Sequence, residues 1–377
     1  MIYKDFQGLK LSALGMGTMR LPIENGDYSA IDEVQTENMV EYALKNGVNY
    51  FDTAWGYHNG QSEIVIGKTL EKYSRNSYML ATKFPGYDLS NMDKVREIFE
   101  KQLEKCRVDY FDFYLVHNVC ELNINEYLNP EHGIHDYLVS QKKNGRIKHL
   151  GFSAHGSYSV IKRFLDAYGK DMEFCQLQIN WVDWNFQDAK AKVELLRRWK
   201  LPVWVMEPLR GGKLTSLPKN YEDELKTLRP DETVTEWAFR FLQTIPDICV
   251  TLSGMSDFEQ LKQNIKTFET EKPLSDNEFD ILLRIADEMT KKKSLSCTAC
   301  RYCTSHCPQE LDIPHLLSLY NEHIFSEGGF LAPMALAALP SDKQPSSCVG
   351  CRSCEAVCPQ QIKISEVMSD FADKLKA

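Results

Sequence analysis

Two sets of residues in this 377-residue chain have the types and spacing to do chemistry. The first is Cys297-x2-Cys300-x2-Cys303-x3-Cys307-Pro308, which recurs as Cys348-x2-Cys351-x2-Cys354-x3-Cys358-Pro359. Thiolates at this spacing can hold three corners of an iron–sulfur cubane, and the fourth cysteine, leaving the loop before proline, can reach a second one. Zinc needs only four thiolates in two pairs, so the fuller, repeated pattern favours clusters. The second set is Asp52, Tyr57, Lys83 and His117. Asp52 ends the apolar stretch Tyr50-Phe51, Lys83 follows Tyr78–Thr82, His117 follows Phe111–Val116, and Tyr57 lies in the loop beyond Asp52. Taken singly, these residues suit an interior ion pair, a packed ring and a strand-end histidine. Brought together, a carboxylate, an ammonium, a phenol and an imidazole form an acid–base constellation.

The elements that must bring them together alternate regularly. Tyr3–Phe6 and Lys10–Ser12 flank Gln7-Gly8, a hairpin by turn chemistry. Ala13–Gly17 reads as the first core strand, and Thr36–Asn46 carries Met39, Val40, Ala43 and Leu44 on one helical face. Seven further strand–helix pairs follow. Their strands are Tyr50–Asp52, Tyr78–Lys83, Phe111–His117, Lys148–Ser153, Phe174–Gln178, Pro202–Met206 and Cys249–Ser253. Their helices are Gln61–Lys72, Asp93–Cys106, Ile134–Asn144, Ser157–Ala167, Gln187–Trp199, Val234–Leu242 and Phe258–Thr267. Eight pairs in about 250 residues predict an α/β fold of the (β/α)8 TIM-barrel type, in which the strand C-termini share one mouth. An open doubly wound sheet is the rival, but no strand–turn–helix here carries Gly-x-Gly-x-x-Gly.

Over residues 1–270 the chain resembles the aldo-keto reductases. The resemblance rests on Leu14-Gly15-Met16-Gly17-Thr18, Phe51-Asp52-Thr53-Ala54 with Tyr57, Thr82-Lys83, Tyr114-Leu115-Val116-His117 and Gly151-Phe152-Ser153. Glu207-Pro208-Leu209-Arg210-Gly211-Gly212 and Gly254 with Gln263-Asn264 match more loosely. The resemblance implies an oxidoreductase in which Tyr57 is the general acid, Lys83 lowers the phenol pKa, Asp52 anchors Lys83 and His117 orients the substrate oxygen. It also implies NAD(P)H held across the barrel mouth, with Ser153 and Gln176 on the nicotinamide carboxamide. Gly254, Ser256 and Asn264 would meet phosphate or adenine, although Gly254 also suits a plain turn.

Three positions depart from the family pattern. Ala154 replaces an asparagine, Met206 replaces the tyrosine that stacks on nicotinamide, and Gln260 replaces the basic residue near the adenosine 2′-phosphate. A lost stacking ring costs about 1 kcal/mol, and a lost charge-assisted bond about 1.5–3 kcal/mol. Weaker dinucleotide binding is therefore expected, without a preference for NADPH. Trp55, Trp181 and Trp184 are candidates for the substrate pocket or for packing.

The chain end resembles the two-cluster ferredoxins, with a 297–377 domain joined by a helical linker at 271–296. The linker's helix runs Ser275–Lys293, and Lys291-Lys292-Lys293 reads as a solvated, dipole-capping end. In two-cluster ferredoxins the last cysteine of each run serves the other cluster. One [4Fe–4S] cluster then takes Cys297, Cys300, Cys303 and Cys358, and the other takes Cys348, Cys351, Cys354 and Cys307. Forty residues separate Cys307 from Cys348, with helices expected at Ile313–Ile324, Pro333–Leu339 and Ile362–Leu375. That matches the α-helical ferredoxin type. His306, His315 and His323 read as surface or packing residues, with His306 placed to tune a potential.

A formal charge of −9 argues against nucleic acid or an anionic membrane as partner. MIYKDFQGLK has no apolar export segment, no stretch spans a bilayer, and clustered cysteines suit a reducing cytoplasm. The expected substrate is a small carbonyl or alcohol. Two clusters in series suggest a wire to a redox partner protein. Coupling them to hydride chemistry needs a flavin or comparable splitter, and a non-catalytic electron carrier with the barrel as scaffold is the remaining alternative.

Overall fold

In the computed structural model, which describes residues 1–291, 294, 295, 297, 300, 301 and 303–376, the chain opens with an antiparallel hairpin of β1 (Tyr3–Phe6) and β2 (Leu9–Ser12). Gln7 and Gly8 turn it with φ of 51° and 87°, the positive pair that matches strand twist. Eight parallel strands follow: β3 (Leu14–Gly17), β4 (Tyr50–Asp52), β5 (Met79–Phe84), β6 (Phe111–Val119), β7 (Ile147–Ala154), β8 (Cys175–Gln178), β9 (Val203–Met206) and β10 (Ile248–Ser253). They close in sequence order, β10 pairing back onto β3. The expected barrel is the fold.

The barrel helices are α1 (Glu33–Lys45), α2 (Ser62–Leu70), α3 (Val95–Cys106), α4 (Ile134–Lys143), α5 (Tyr158–Tyr168), α6 (Ala189–Arg198), α7 (Val234–Gln243) and α8 (Phe258–Thr267). Helix α1 starts three residues before the expected Thr36 because Asp32 caps it, accepting from the Gln35 N–H at 2.8 Å. A helix at Lys219–Leu228, burying Tyr221 and Leu225, fills what was expected to be a long loop before α7. Helices α2 and α3 meet at Gly67, where a Cβ would stand 2.5 Å from the Lys105 carbonyl oxygen. Only glycine admits that approach.

Aromatic side chains close the N-terminal end of the barrel. Phe6 of the hairpin packs at centroid distances of 5.1 Å from Trp204 and 5.7 Å from Phe113. Tyr50, Phe174, Leu115 and Val250 belong to the same buried cluster. With that end plugged, the C-terminal ends of the strands form the open mouth.

By its internal contacts the chain divides into two units, Met1–Val119 with Asn123–Leu283, and Cys120–Leu122 with Arg284–Ala377. Helix α9 (Asp276–Lys291) follows the barrel helices; Lys292 and Lys293, expected at its end, lie outside the described residues. The second unit is built on α10 (Ile313–Ser326), α11 (Leu331–Ala337) and α12 (Ile364–Lys374). Leu316, Leu317, Leu336, Met368 and Phe371 form its core with Cys303 and Cys354, and Tyr320 donates to Asp370 at 2.7 Å. Among the described residues this unit has no strand, which fits the helical ferredoxin type. No helix among them is long and apolar enough to cross a membrane.

Candidate active site and the cysteine cavities

Register decides how the four polar residues meet. Asp52 pairs with Ala81 in the β4–β5 ladder, so Lys83, two residues on, points to the same barrel interior one step nearer the mouth. Its Nζ reaches Asp52 Oδ1 at 2.6 Å and the Thr53 carbonyl at 2.7 Å. Both side chains are almost wholly buried. Burial pushes Asp52 up and Lys83 down, and each opposes the shift in the other.

Tyr57 opens a short 3-10 turn, Tyr57–Gly60, with its ring 5.1 Å from Lys83 Nζ. The His117 ring stands edge-on to Tyr57 at 6.3 Å and to Tyr87 at 5.3 Å. The four residues therefore converge. The expected lowering of the Tyr57 pKa is corrected by this geometry. Burial pushes the phenol well up, the carboxylates of Asp52 and Glu207 adding to it. Two of the three Lys83 protons are committed to Asp52 and Thr53, and the ammonium faces the ring. His117 is driven well below the ordinary imidazole range by burial, then by the charges of Lys83 and His155, so it is neutral at pH 7. Its Nδ1 has no partner among the described residues.

A groove of about 600 Å3 runs over the mouth. Tyr57, Gln176, Gly254, Ser256 and Asn264 line it, as do Met206 and Gln260. Ser153 lies beside Gln176 in the β7–β8 ladder, with its Oγ accepting from the Asn118 N–H at 2.8 Å. The buried Gln176 Oε1 has no partner among the described residues, which leaves an acceptor suited to a carboxamide N–H. Asn264 donates to Ser253 Oγ at 3.1 Å, and the Ser256 N–H is taken by Gln260 Oε1 at 3.0 Å. Gln260 is itself tied to Asp257. The residues fit a nicotinamide dinucleotide at the carboxamide end and offer no cation at Gln260.

The tryptophans divide. Trp181 is fully buried and Trp184 packs edge-on to Phe241 and Phe279, so these two are core. Trp55 carries Lys105 Nζ 4.4 Å from its ring.

In the second unit two cavities gather the clustered cysteines. Cys297, Cys300, Cys303 and Cys358 line one, with Leu317, Ile362 and Ile364. Cys307, Cys348, Cys351 and Cys354 line the other, with Leu311, Ile313, Ile364 and Met368. The fourth cysteine of each run thus crosses to the opposite set. None of the eight is in a disulfide; Cys300 and Cys351 are exposed and the other six are partly or fully buried, beside the apolar side chains named above, which fits two cubanes. Of the nearby histidines, His323 is buried against Phe371 at 5.6 Å, while His306 is exposed beside Ser305.

The model of the aldo/keto reductase family matches residues 13–287. The chain belongs to the aldo/keto reductase family. It is an oxidoreductase, and its C-terminal part, residues 296–363, matches a 4Fe-4S dicluster domain. L-galactose dehydrogenase of Arabidopsis thaliana is 31% identical over 290 residues, covering 68% of this chain and 84% of that protein. NADH-specific methylglyoxal reductase of Escherichia coli is 24% identical over 332 residues, 75% and 97% of the two chains. Among solved structures, aldo-keto reductase AKR11C1 from Bacillus halodurans in its holo form is 25% identical with a TM-score of 0.58, covering 74% of this chain and 93% of that one.

The aldo/keto reductase barrel also uses residues that the sequence did not single out. His58, at φ 52°, donates from Nδ1 to the Tyr28 carbonyl at 2.7 Å and accepts at Nε2 from the Leu21 N–H at 3.1 Å. This staples the turn that presents Tyr57. Behind Lys83, buried Glu63 accepts from Thr82, Gln102 and Lys105, each at 2.7 Å, and Gln102 also donates to the Lys83 carbonyl at 3.0 Å. No spacing announces these contacts, since the partners come from separate helices and strands.

Proposed function

We propose that this protein interconverts a small carbonyl compound and its alcohol with NAD(P)H, Tyr57 acting as general acid in reduction and as base in oxidation. The observation that carries the reading is the buried Asp52–Lys83 pair with Tyr57 and His117 against it at the barrel mouth. A bound nicotinamide would supply the hydride. With its pKa held up, Tyr57 keeps its proton at neutral pH and donates it as charge develops on the carbonyl oxygen. His117, kept neutral, offers that oxygen a hydrogen bond and fixes its direction. Lys83, locked by Asp52, places a positive charge behind the ring, where it favours whatever phenolate forms. The unpartnered Gln176 Oε1 supports nicotinamide placement, and the named activities of two relatives, one of them NADH-specific, support a carbonyl/alcohol reaction.

A second reading, relay of single electrons, is favoured by one observation. Ile364 lines both cysteine cavities, so the cluster sites stand on either side of one residue. We assign Cys297, Cys300, Cys303 and Cys358 to one cluster and Cys307, Cys348, Cys351 and Cys354 to the other. Once assembled, such clusters supply one-electron chemistry, and coupling it to hydride transfer calls for a splitter such as flavin. Anaerobic mixing of the cluster-loaded protein with NADH or NADPH tests both readings. Turnover of simple aldehydes with unreduced clusters supports the reductase alone. Cluster reduction, read by absorbance and EPR together with flavin in an extract, supports the coupled circuit. The absence of both turnover and cluster reduction would overturn the nicotinamide assignment.

A further inference from the structure

Arg20 is the one cation among the described residues that line the mouth groove, against the carboxylates of Asp52 and Glu207. It follows β3, is exposed, and among the described residues forms neither a hydrogen bond nor an ion pair. Its position is nevertheless narrowly set. A Cβ on Gly254 would stand 3.2 Å from Arg20 Cβ and Cδ, so the stem lies along the backbone just after β10. A Cβ on Gly211 would stand 3.1 Å from Arg20 Nη2 and 3.7 Å from Glu207 Oε2, so the guanidinium reaches the loop after β9. Arg20 therefore crosses between the two loops that flank the groove, and a side chain at either glycine would crowd its path. Glu207, half-buried at φ 55°, faces the same point. Burial raises its carboxyl, and Arg20 opposes that shift.

We propose that Arg20 is a strap across the groove that binds the diphosphate of the dinucleotide, with the Glu207 carboxylate, near the guanidinium but not bonded to it, competing with the diphosphate for that charge. The inference rests on the nicotinamide reading given above. Gln260, at the position where the family pattern has a cation, is neutral and committed to Asp257, the cap of helix α8. A diphosphate entering this groove thus meets one positive side chain, and a planar fork of donors suits two adjacent phosphate groups. The diphosphate is common to NADH and NADPH, so the strap serves both nucleotides equally.

The test is direct binding to the cluster-loaded protein, followed by quenching of tryptophan fluorescence with NADH, NADPH and inorganic pyrophosphate as probes. Arg20→Ala should weaken both dinucleotides by about 10- to 100-fold, the loss of a charge-assisted bidentate contact. It should also flatten the dependence of binding on salt and abolish competition by pyrophosphate. Glu207→Gln, which removes the competing carboxylate, should tighten both. Arg20 is exposed and unbonded, so the melting temperature of Arg20→Ala should match the parent. Unchanged binding in Arg20→Ala overturns the strap, and so does a loss confined to NADPH, which would move Arg20 to the 2′-phosphate. A parent protein with both clusters in place that binds neither dinucleotide overturns the nicotinamide reading and the strap together.

Discussion

Lys83 Nζ lies 2.6 Å from Asp52 Oδ1 and 5.1 Å from the centre of the Tyr57 ring, so one ammonium both closes a buried ion pair and faces the candidate acid. Removing the carboxylate strands that ammonium in the barrel. Asp52→Ala should cost about 3–5 kcal/mol of stability, the range for breaking a buried pair from one side. Asp52→Asn, which keeps a hydrogen-bond acceptor, should cost less while still lowering turnover. Denaturant titration of the barrel's tryptophan signal measures both. Equal stability in Asp52→Ala and the parent would show that Lys83 is not charged in the folded protein.

Tyr57→Phe removes one oxygen and leaves the ring against Lys83 and His117. Carbonyl turnover should fall by about 10²- to 10⁴-fold, the usual worth of a positioned proton donor. Iron content and dinucleotide binding should not change. A Tyr57→Phe enzyme as active as the parent removes the acid assignment.

His117 and His155 set a pH dependence with a definite sign. Both are pushed down from the ordinary value of 6.5, His155 to about 4 and His117 well below its usual range. Burial is the first cause for each. The unfolded chain therefore binds these protons before the folded one does, and stability is lost as pH falls below 6.5. His117→Gln should flatten that acid limb in a series of thermal melts. In kinetics, kcat/KM should show no His117 inflection between about pH 6 and 8, because the imidazole is already neutral there.

Cys300 lies in the Cys297–Cys303–Cys358 cavity and Cys351 in the other. Cys300→Ala should therefore lose about half the iron and sulfide, and one of two EPR-active centres, as cross-paired ligation requires. Cys300→Ala with Cys351→Ala should lose nearly all of it. Unchanged iron in Cys300→Ala would break the assignment.

Much of this was legible in one dimension because the relevant physics is local. Alternating apolar strands and amphipathic helices predict a barrel, since each such pair buries its faces in only a few ways. Helix α8 runs over Phe258–Thr267 as periodicity places it. Within each cysteine run, three-residue spacing on a tight loop keeps the first three sulfurs together, while the crossing of Cys307 and Cys358 is what the resemblance to two-cluster ferredoxins implies. The family motifs placed Asp52, Tyr57, Lys83 and His117 in order along the chain.

What only the tertiary structure decided depends on contacts between distant segments. The upward sign of the Tyr57 shift comes from burial and then from the carboxylates of Asp52 and Glu207, which no spacing encodes. Met206 and Gln260 depart from the family pattern in the sequence, but the charge that faces the groove comes from Arg20, far away in sequence and brought to Gly254 by the closure of β10 onto β3. Glu63, Gln102 and His58 look like surface-type residues in the sequence, yet Glu63 and Gln102 are fully buried and His58 nearly so, each held by partners from other elements. A barrel mouth is assembled from eight strand ends, so its electrostatics follow from closure and not from any single stretch of chain.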